Sequence, residues 1–251
     1  VARSYADRDL KLLFGLSAAR CAFPHCRQLC IIEQTAQDAP AMVGQIAHII
    51  AHSSQGPRAD PTLPERERDR YDNLILLCAT HHALVDGQAH TYTIQQLRQW
   101  KADHEQWVQG ALAQEMPKVT FRELEMVTSA VIMGLAAPVA TNYAITPPQE
   151  KMKRNQITAK SNFRLTIGLS KAKEVGNFVE YISALKSDFP EELTAGFLSE
   201  YQKLLAAGIV GDALFQALID FASGGSSGFD RQAAGIAVVA YLFEKCELFE
   251  K

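Results

Sequence analysis

Apolar residues recur at helical spacing from the start of the chain. Over Asp7–Leu16, Leu10, Leu12, Leu13, Phe14 and Leu16 stand among charged residues and predict a short amphipathic helix. Residues 43–50, Val-Gly-Gln-Ile-Ala-His-Ile-Ile, have the β-branched content of a strand. A polar loop follows, with Gly56-Pro57-Arg58 and then a charged run over residues 65–70 that reads as a solvated mixed-charge loop. Residues 73–77 are short and apolar and deliver the chain to Cys78, after which a helix is predicted with Thr80 as its cap. Residues 93–109 predict a second amphipathic helix, capped by Thr93, with Ile94, Leu97, Trp100, Trp107 and Val108 facing inward.

Beyond Pro117 helical periodicity dominates. Candidate helices cover residues 121–135, 175–185, 190–207, 212–221 and 232–249, with breaks at Ala137-Pro138, at Thr146-Pro147-Pro148 and over the glycine-rich residues 224–228. The last helix carries Ile236, Val239, Ala240, Leu242 and Phe243 with few charges on that face, so it is expected to be buried in its own core or against a partner. The expected fold class is α+β, with a mixed domain over residues 1–112 and an all-α domain over residues 118–251.

Composition narrows the class. A chain of 251 residues that is 47% hydrophobic can bury a sizeable core in one or two domains. Its net charge of −3 provides no global positive field, so any contact with nucleic acid rests on local groups. No apolar run reaches the roughly 18–20 residues needed to cross a bilayer. The cysteines are Cys21, Cys26, Cys30, Cys78 and Cys246, and the opening residues show no signal-peptide pattern. Metal-binding thiols in a reducing cytoplasm are therefore expected.

Two short pairs of ligand residues, Cys21 with Cys26 and Cys78 with His81, are spaced to close on one zinc ion. Structural zinc prefers four Cys or His ligands, supplied by two knuckles across a longer insert. Such an ion replaces part of the core that so short a region cannot build. The bland reading is buried thiols beside a surface histidine, and His25 and Cys30 are alternative ligands with less regular placement. His82 lies directly beside the second pair, and because zinc needs no fifth ligand it invites a catalytic reading. His48 is flanked by apolar residues, a setting in which a satisfied core histidine is the commoner case.

Taken in order, Ala47-His48-Ile49, Gly56-Pro57-Arg58, the run from Asn73 through Cys78 to His82, and Val85-Asp86 resemble the zinc-stabilised HNH endonuclease family over about residues 1–110. The three residues behind the family name correspond to His48, Asn73 and His82. The resemblance implies a ββα-metal fold and hydrolysis of DNA phosphodiester bonds. It implies His48 as the general base, a role suited to imidazole. It implies Asn73 as the residue that holds the loop and orients His48. It also implies His82 as ligand of a catalytic divalent ion, magnesium or another metal. Asp86, four residues on, would face the same way and add a carboxylate ligand, although Asp86-Gly87 is also a common turn dipeptide. The family often has an acidic residue or histidine just before the base. Here that place holds Ala47, so Gln45, His52, water or substrate phosphate must complete the shell. Arg58 is expected to grip a phosphate of double-stranded DNA without reading sequence.

The C-terminal part carries no nucleophile motif, phosphate loop or metal cluster, and is expected to regulate. Residues 147–155, 171–178 and 241–246 are similar, more weakly, to C-terminal domains of bacterial ABC-three-component conflict systems. That resemblance implies an antiviral or anti-plasmid effector controlled by an ATPase partner. Two other readings stand beside it: a zinc-stabilised DNA-binding or interaction module with weak or lost catalysis, and a restriction-type nuclease that reads modified DNA. A homodimer through the apolar last helix is a further expectation, since paired sites can cut both strands.

Overall fold

The computed structural model describes residues 5–32, 37–133, 148–245 and 249. The chain divides into two compact units, Val1–Val108 and Gln109–Lys251.

The first unit opens with α1 (Asp7–Leu16), which buries Leu12, Leu13 and Leu16 as its periodicity predicts. Asp9, on the same helix, is buried too, and its Oδ1 accepts from the Tyr71 backbone N–H at 2.9 Å. A tight knuckle follows. Cys21 N donates to Gln28 O at 2.8 Å and Cys30 N to Ala19 O at 2.8 Å, with left-handed backbone at Ala18, Ala19, His25 and Arg27. The chain then forms β1 (Ile31–Ile32), antiparallel to β2 (Ala41–Met42), and β3 (Gly44–His48). A one-turn helix α2 (Glu65–Arg68) lies within the charged run expected to be a loop, and a 3-10 turn over Tyr71–Asn73 leads into β4 (Leu74–Cys78).

β3 and β4 pair antiparallel, Gly44 opposite Cys78 and His48 opposite Leu74. Every residue of β4 is buried, which explains its continuous apolar sequence. α3 (Ala79–Gly87) and α4 (Ile94–Glu115) complete the unit, α4 continuing past residue 109 into the second. Cys78 is the N-cap of α3 and no side chain caps it, so Thr80 does not fill the capping role expected of it. Thr93 does cap: its hydroxyl accepts from Gln96 N at 3.3 Å while Gln96 Oε1 accepts from Thr93 N at 2.9 Å, a reciprocal capping box. The core gathers Ala47, Ile49, Ile75, Leu76, Leu77, Val85 and Leu97 between the strand pair and the helices.

The second unit is helical among its described residues: α5 (Phe121–Met133), α6 (Pro148–Arg154), α7 (Ala159–Leu169), α8 (Ala172–Leu185), α9 (Phe189–Ala206), α10 (Gly211–Ala222) and α11 (Phe229–Lys245). The expected break at Ala137-Pro138, and residues 134–135 and 246–248 of two predicted helices, lie outside the described residues. α6 and α7 were not expected. α11 is the central helix, packed by α5, α7, α8 and α10, with Ile236, Val239, Leu242 and Phe243 at most 4% exposed. Burying each such side chain contributes about 1.5–3 kcal/mol. The apolar face expected to pair two copies is thus spent on the unit's own core, and the homodimer has no support from it. No helix of the described residues is long and apolar enough to cross a membrane.

Candidate functional site

Local backbone bonds bring the two knuckles together. Ala22 N donates to Leu76 O at 2.9 Å, which fixes the first knuckle against β4 just ahead of Cys78. As a result the ligand atoms of Cys21, Cys26, Cys78 and His81 lie within 4.8 Å of one another. His81 Nδ1 stands 3.6 Å from Cys21 Sγ and 3.1 Å from Cys78 Sγ. Ligands about 2.3 Å (sulfur) and 2.0 Å (nitrogen) from a tetrahedral zinc would stand about 3.5 Å apart, so the donor set fits that ion. Phe23 stacks flat on the His81 ring at 3.8 Å between centroids and fixes its plane. Burial pushes the Cys21 thiol up to about 12, the penalty that a bound cation reverses. Of the alternative ligands, His25 is exposed and Cys30, although buried, has its sulfur 3.8 Å from Gln28 O and outside the four-residue cluster.

Adjacent residues on an α-helix point about 100° apart. His81 therefore turns to the cysteines while His82 turns to a cavity of about 270 Å³ lined by His48, His52, Ser53, Gly56, His82 and Asp86, among others. Strand alternation sorts the other wall. His48 faces this cavity, whereas Ala47 packs in the core opposite Ile75, fully buried. Of the two side chains proposed to compensate for Ala47, His52 lines the cavity and Gln45 is exposed outside it.

Asn73 is buried and saturated. Its Oδ1 accepts from Ile50 N at 2.9 Å, and its Nδ2 donates to Ile50 O and to Arg68 O, both at 2.8 Å. It clamps the chain immediately after His48. Arg58 is placed otherwise than expected. Its side chain is only 3% exposed, and it donates to Ile49 O at 3.0 Å, Val85 O at 2.5 Å and Asp86 Oδ1 at 2.5 Å. With His48 O at 3.4 Å as well, the guanidinium fork finds four partners between the end of β3 and α3, so it faces inward and is not presented to a phosphate. Asp86 keeps its second oxygen, Oδ2, 3.8 Å from His82 Nε2.

Asp69 is the site residue that the sequence did not single out. Its Oδ1 lies 2.8 Å from His48 Nε2 and 3.0 Å from His52 Nδ1. An ionised carboxylate only accepts, so both ring nitrogens donate to it. In that tautomer the basic nitrogen of the His48 ring is Nδ1. In the sequence Asp69 is one of six alternating charges, and no spacing rule connects it to a histidine 21 residues earlier.

Residues 30–88 match a family model described as HNH endonuclease. The match spans His48, Asn73, Cys78, His81, His82 and Asp86 and begins after Cys21 and Cys26. This segment near the N-terminus is thus similar to HNH endonucleases, and helices follow it in the chain. A comparison with curated proteins finds no match.

Proposed function

We propose that the first unit is a metal-dependent endonuclease domain that hydrolyses phosphodiester bonds of double-stranded DNA without sequence preference. One observation carries the reading: His48, His82 and Asp86, from β3 and α3, share one cavity inside the segment that matches the HNH model. His48 takes the proton of the attacking water on Nδ1, while Asp69 holds the ring from Nε2 and favours the cation that forms. Asn73 keeps the strand end, and so the ring, in register with α3. His82 Nε2 and Asp86 Oδ2 would hold a divalent ion, magnesium or a transition metal; two protein ligands suffice where water and substrate phosphate complete the shell. When bound, that ion stabilises the charge developing on the phosphate and leaving oxygen. Cys21, Cys26, Cys78 and His81 would hold structural zinc.

The test is nicking of supercoiled plasmid with and without magnesium. His48→Ala is expected to abolish cutting in a folded protein, and Cys78→Ser to unfold the domain. If the wild type never cuts with magnesium, manganese, cobalt or nickel, the reading fails. Ala47, buried where a ligand often stands, favours a second reading of a DNA-binding module with weak catalysis; it predicts DNA binding with no metal-dependent nicking. The helical unit holds no cluster of metal ligands among the described residues, which suits control of the nuclease. An ATPase partner in a defence system is the form of control that its C-terminal resemblance implies.

A further inference from the structure

Holding a catalytic base in place needs one acceptor and one histidine. Here a second histidine, His52, is drawn to the same carboxylate oxygen, and the ligand atoms of His48, His52 and Asp69 all lie within 4.8 Å. We propose that these three side chains form a second metal site, distinct from the cysteine cluster and from His82 with Asp86. It would take a divalent transition ion such as zinc or cobalt, and that ion would switch off the nuclease.

Donor chemistry favours this class. Two imidazoles and one carboxylate suit zinc, cobalt, nickel or iron, whereas magnesium prefers an all-oxygen shell. Ligands about 2.1 Å from a metal lie about 3.0 Å apart at the right angles of a six-coordinate ion and about 3.4 Å apart at a tetrahedral one. The separations here are 2.8 Å from Asp69 Oδ1 to His48 Nε2 and 3.0 Å to His52 Nδ1. Replacing the two shared protons by one cation therefore needs little movement. The frame is built as well. Arg68 donates from NH1 to His52 O at 2.7 Å, fixing the loop that carries His52 to the residue preceding Asp69. All three side chains are less than a fifth exposed, and His48 and His52 open onto the cavity, which gives an ion a route in.

The consequence for chemistry follows from the ring and rests on the nuclease reading. An imidazole metallated on Nε2 carries its one proton on Nδ1, so it cannot accept another from water. Occupancy of this site and base function at His48 exclude each other. Zinc at this site would slow the nuclease, and its removal would restore cutting.

The experiment uses the full chain with the cysteine cluster already filled, titrated with zinc by calorimetry and with cobalt by absorption. Beyond any ion taken by His82 with Asp86, the wild type is expected to take up one further equivalent per chain, without new sulfur-to-cobalt charge transfer, because no thiolate is involved. His52→Gln and Asp69→Asn are each expected to lose that equivalent with an unchanged circular dichroism spectrum. In magnesium, the further zinc equivalent is expected to slow plasmid nicking by about a hundredfold, the lower range of what a general base supplies. No further equivalent in the wild type, or one that survives in both folded variants, overturns the site. Binding without slowing overturns the switch. A protein that binds the ion in a His52- and Asp69-dependent way but never cuts DNA supports the site and sinks only the nuclease reading.

Discussion

Single side chains in the first unit do work that their sequence context conceals. Arg58 lies in a polar loop, yet its buried guanidinium bridges β3 and α3. Arg58→Lys keeps the charge and loses the fork, so an expected loss of about 2–4 kcal/mol should appear in denaturant unfolding. The salt dependence of DNA binding should not change, whereas a phosphate contact would lower its slope. His104 makes a second case. It is 1% exposed, accepts from the Arg27 guanidinium on Nδ1 and donates from Nε2 to Ser17 O at 3.0 Å. Burial first, then neighbouring cations including Arg27, pushes it down to about 4, against 6.5 for the free residue. The unfolded chain therefore binds a proton that the folded one refuses. Stability is fully present above pH 6.5 and is lost as pH falls towards 4, by at most roughly 3 kcal/mol. Unfolding midpoints across that window, compared with those of His104→Gln, check the sign.

At the scale of elements, hydrophobic period predicted those with an apolar face and missed those without one. α1, β4 and α11 announce themselves in that way. α7 does not, because the residues it buries are Ser161, Arg164, Leu165 and Gly168. Gly168 explains the choice: a Cβ there would lie 2.6 Å from Ala240 Cβ and 2.7 Å from Ile236 O, so α7 meets α11 almost backbone to backbone. Gly168→Ala is expected to destabilise the protein by about 1–3 kcal/mol through overpacking. Gly110 supplies the opposite sign. It lies within α4 with nothing within 4 Å of an added Cβ, and Gly110→Ala should stabilise by about 0.5–1 kcal/mol. Thermal unfolding of the two variants side by side separates packing from helix propensity. The cysteine cluster was legible because its ligands come in short local pairs. The His48–His52–Asp69 cluster was not, since it is assembled by the turn that returns the chain from α2 to β4.

Over the whole molecule, the two units contrast in how they are held together. The second unit closes on its own apolar side chains, among them Phe178, Phe197, Phe215 and Phe243, each at most 2% exposed. The first has a strand pair of five residues each and a knuckle with four non-glycine residues in left-handed backbone, a conformation that costs about 1 kcal/mol or more per residue. An arrangement so strained, joined to β4 through Ala22 N–H, needs a constraint from outside the apolar core. A metal ion at Cys21, Cys26, Cys78 and His81 would supply one, and its binding energy would count as folding energy. Removing it with a strong chelator is therefore expected to act selectively. Hydrogen exchange should rise by several orders of magnitude over residues 20–32 and 74–87, while the amides of α7 and α11 keep their protection. Restoring zinc should restore the slow exchange, and Cys26→Ser should reproduce the chelated pattern without chelator. Equal loss of protection in both units would mean that the ion supports the second core as well, and unchanged exchange would mean that the knuckle stands without it.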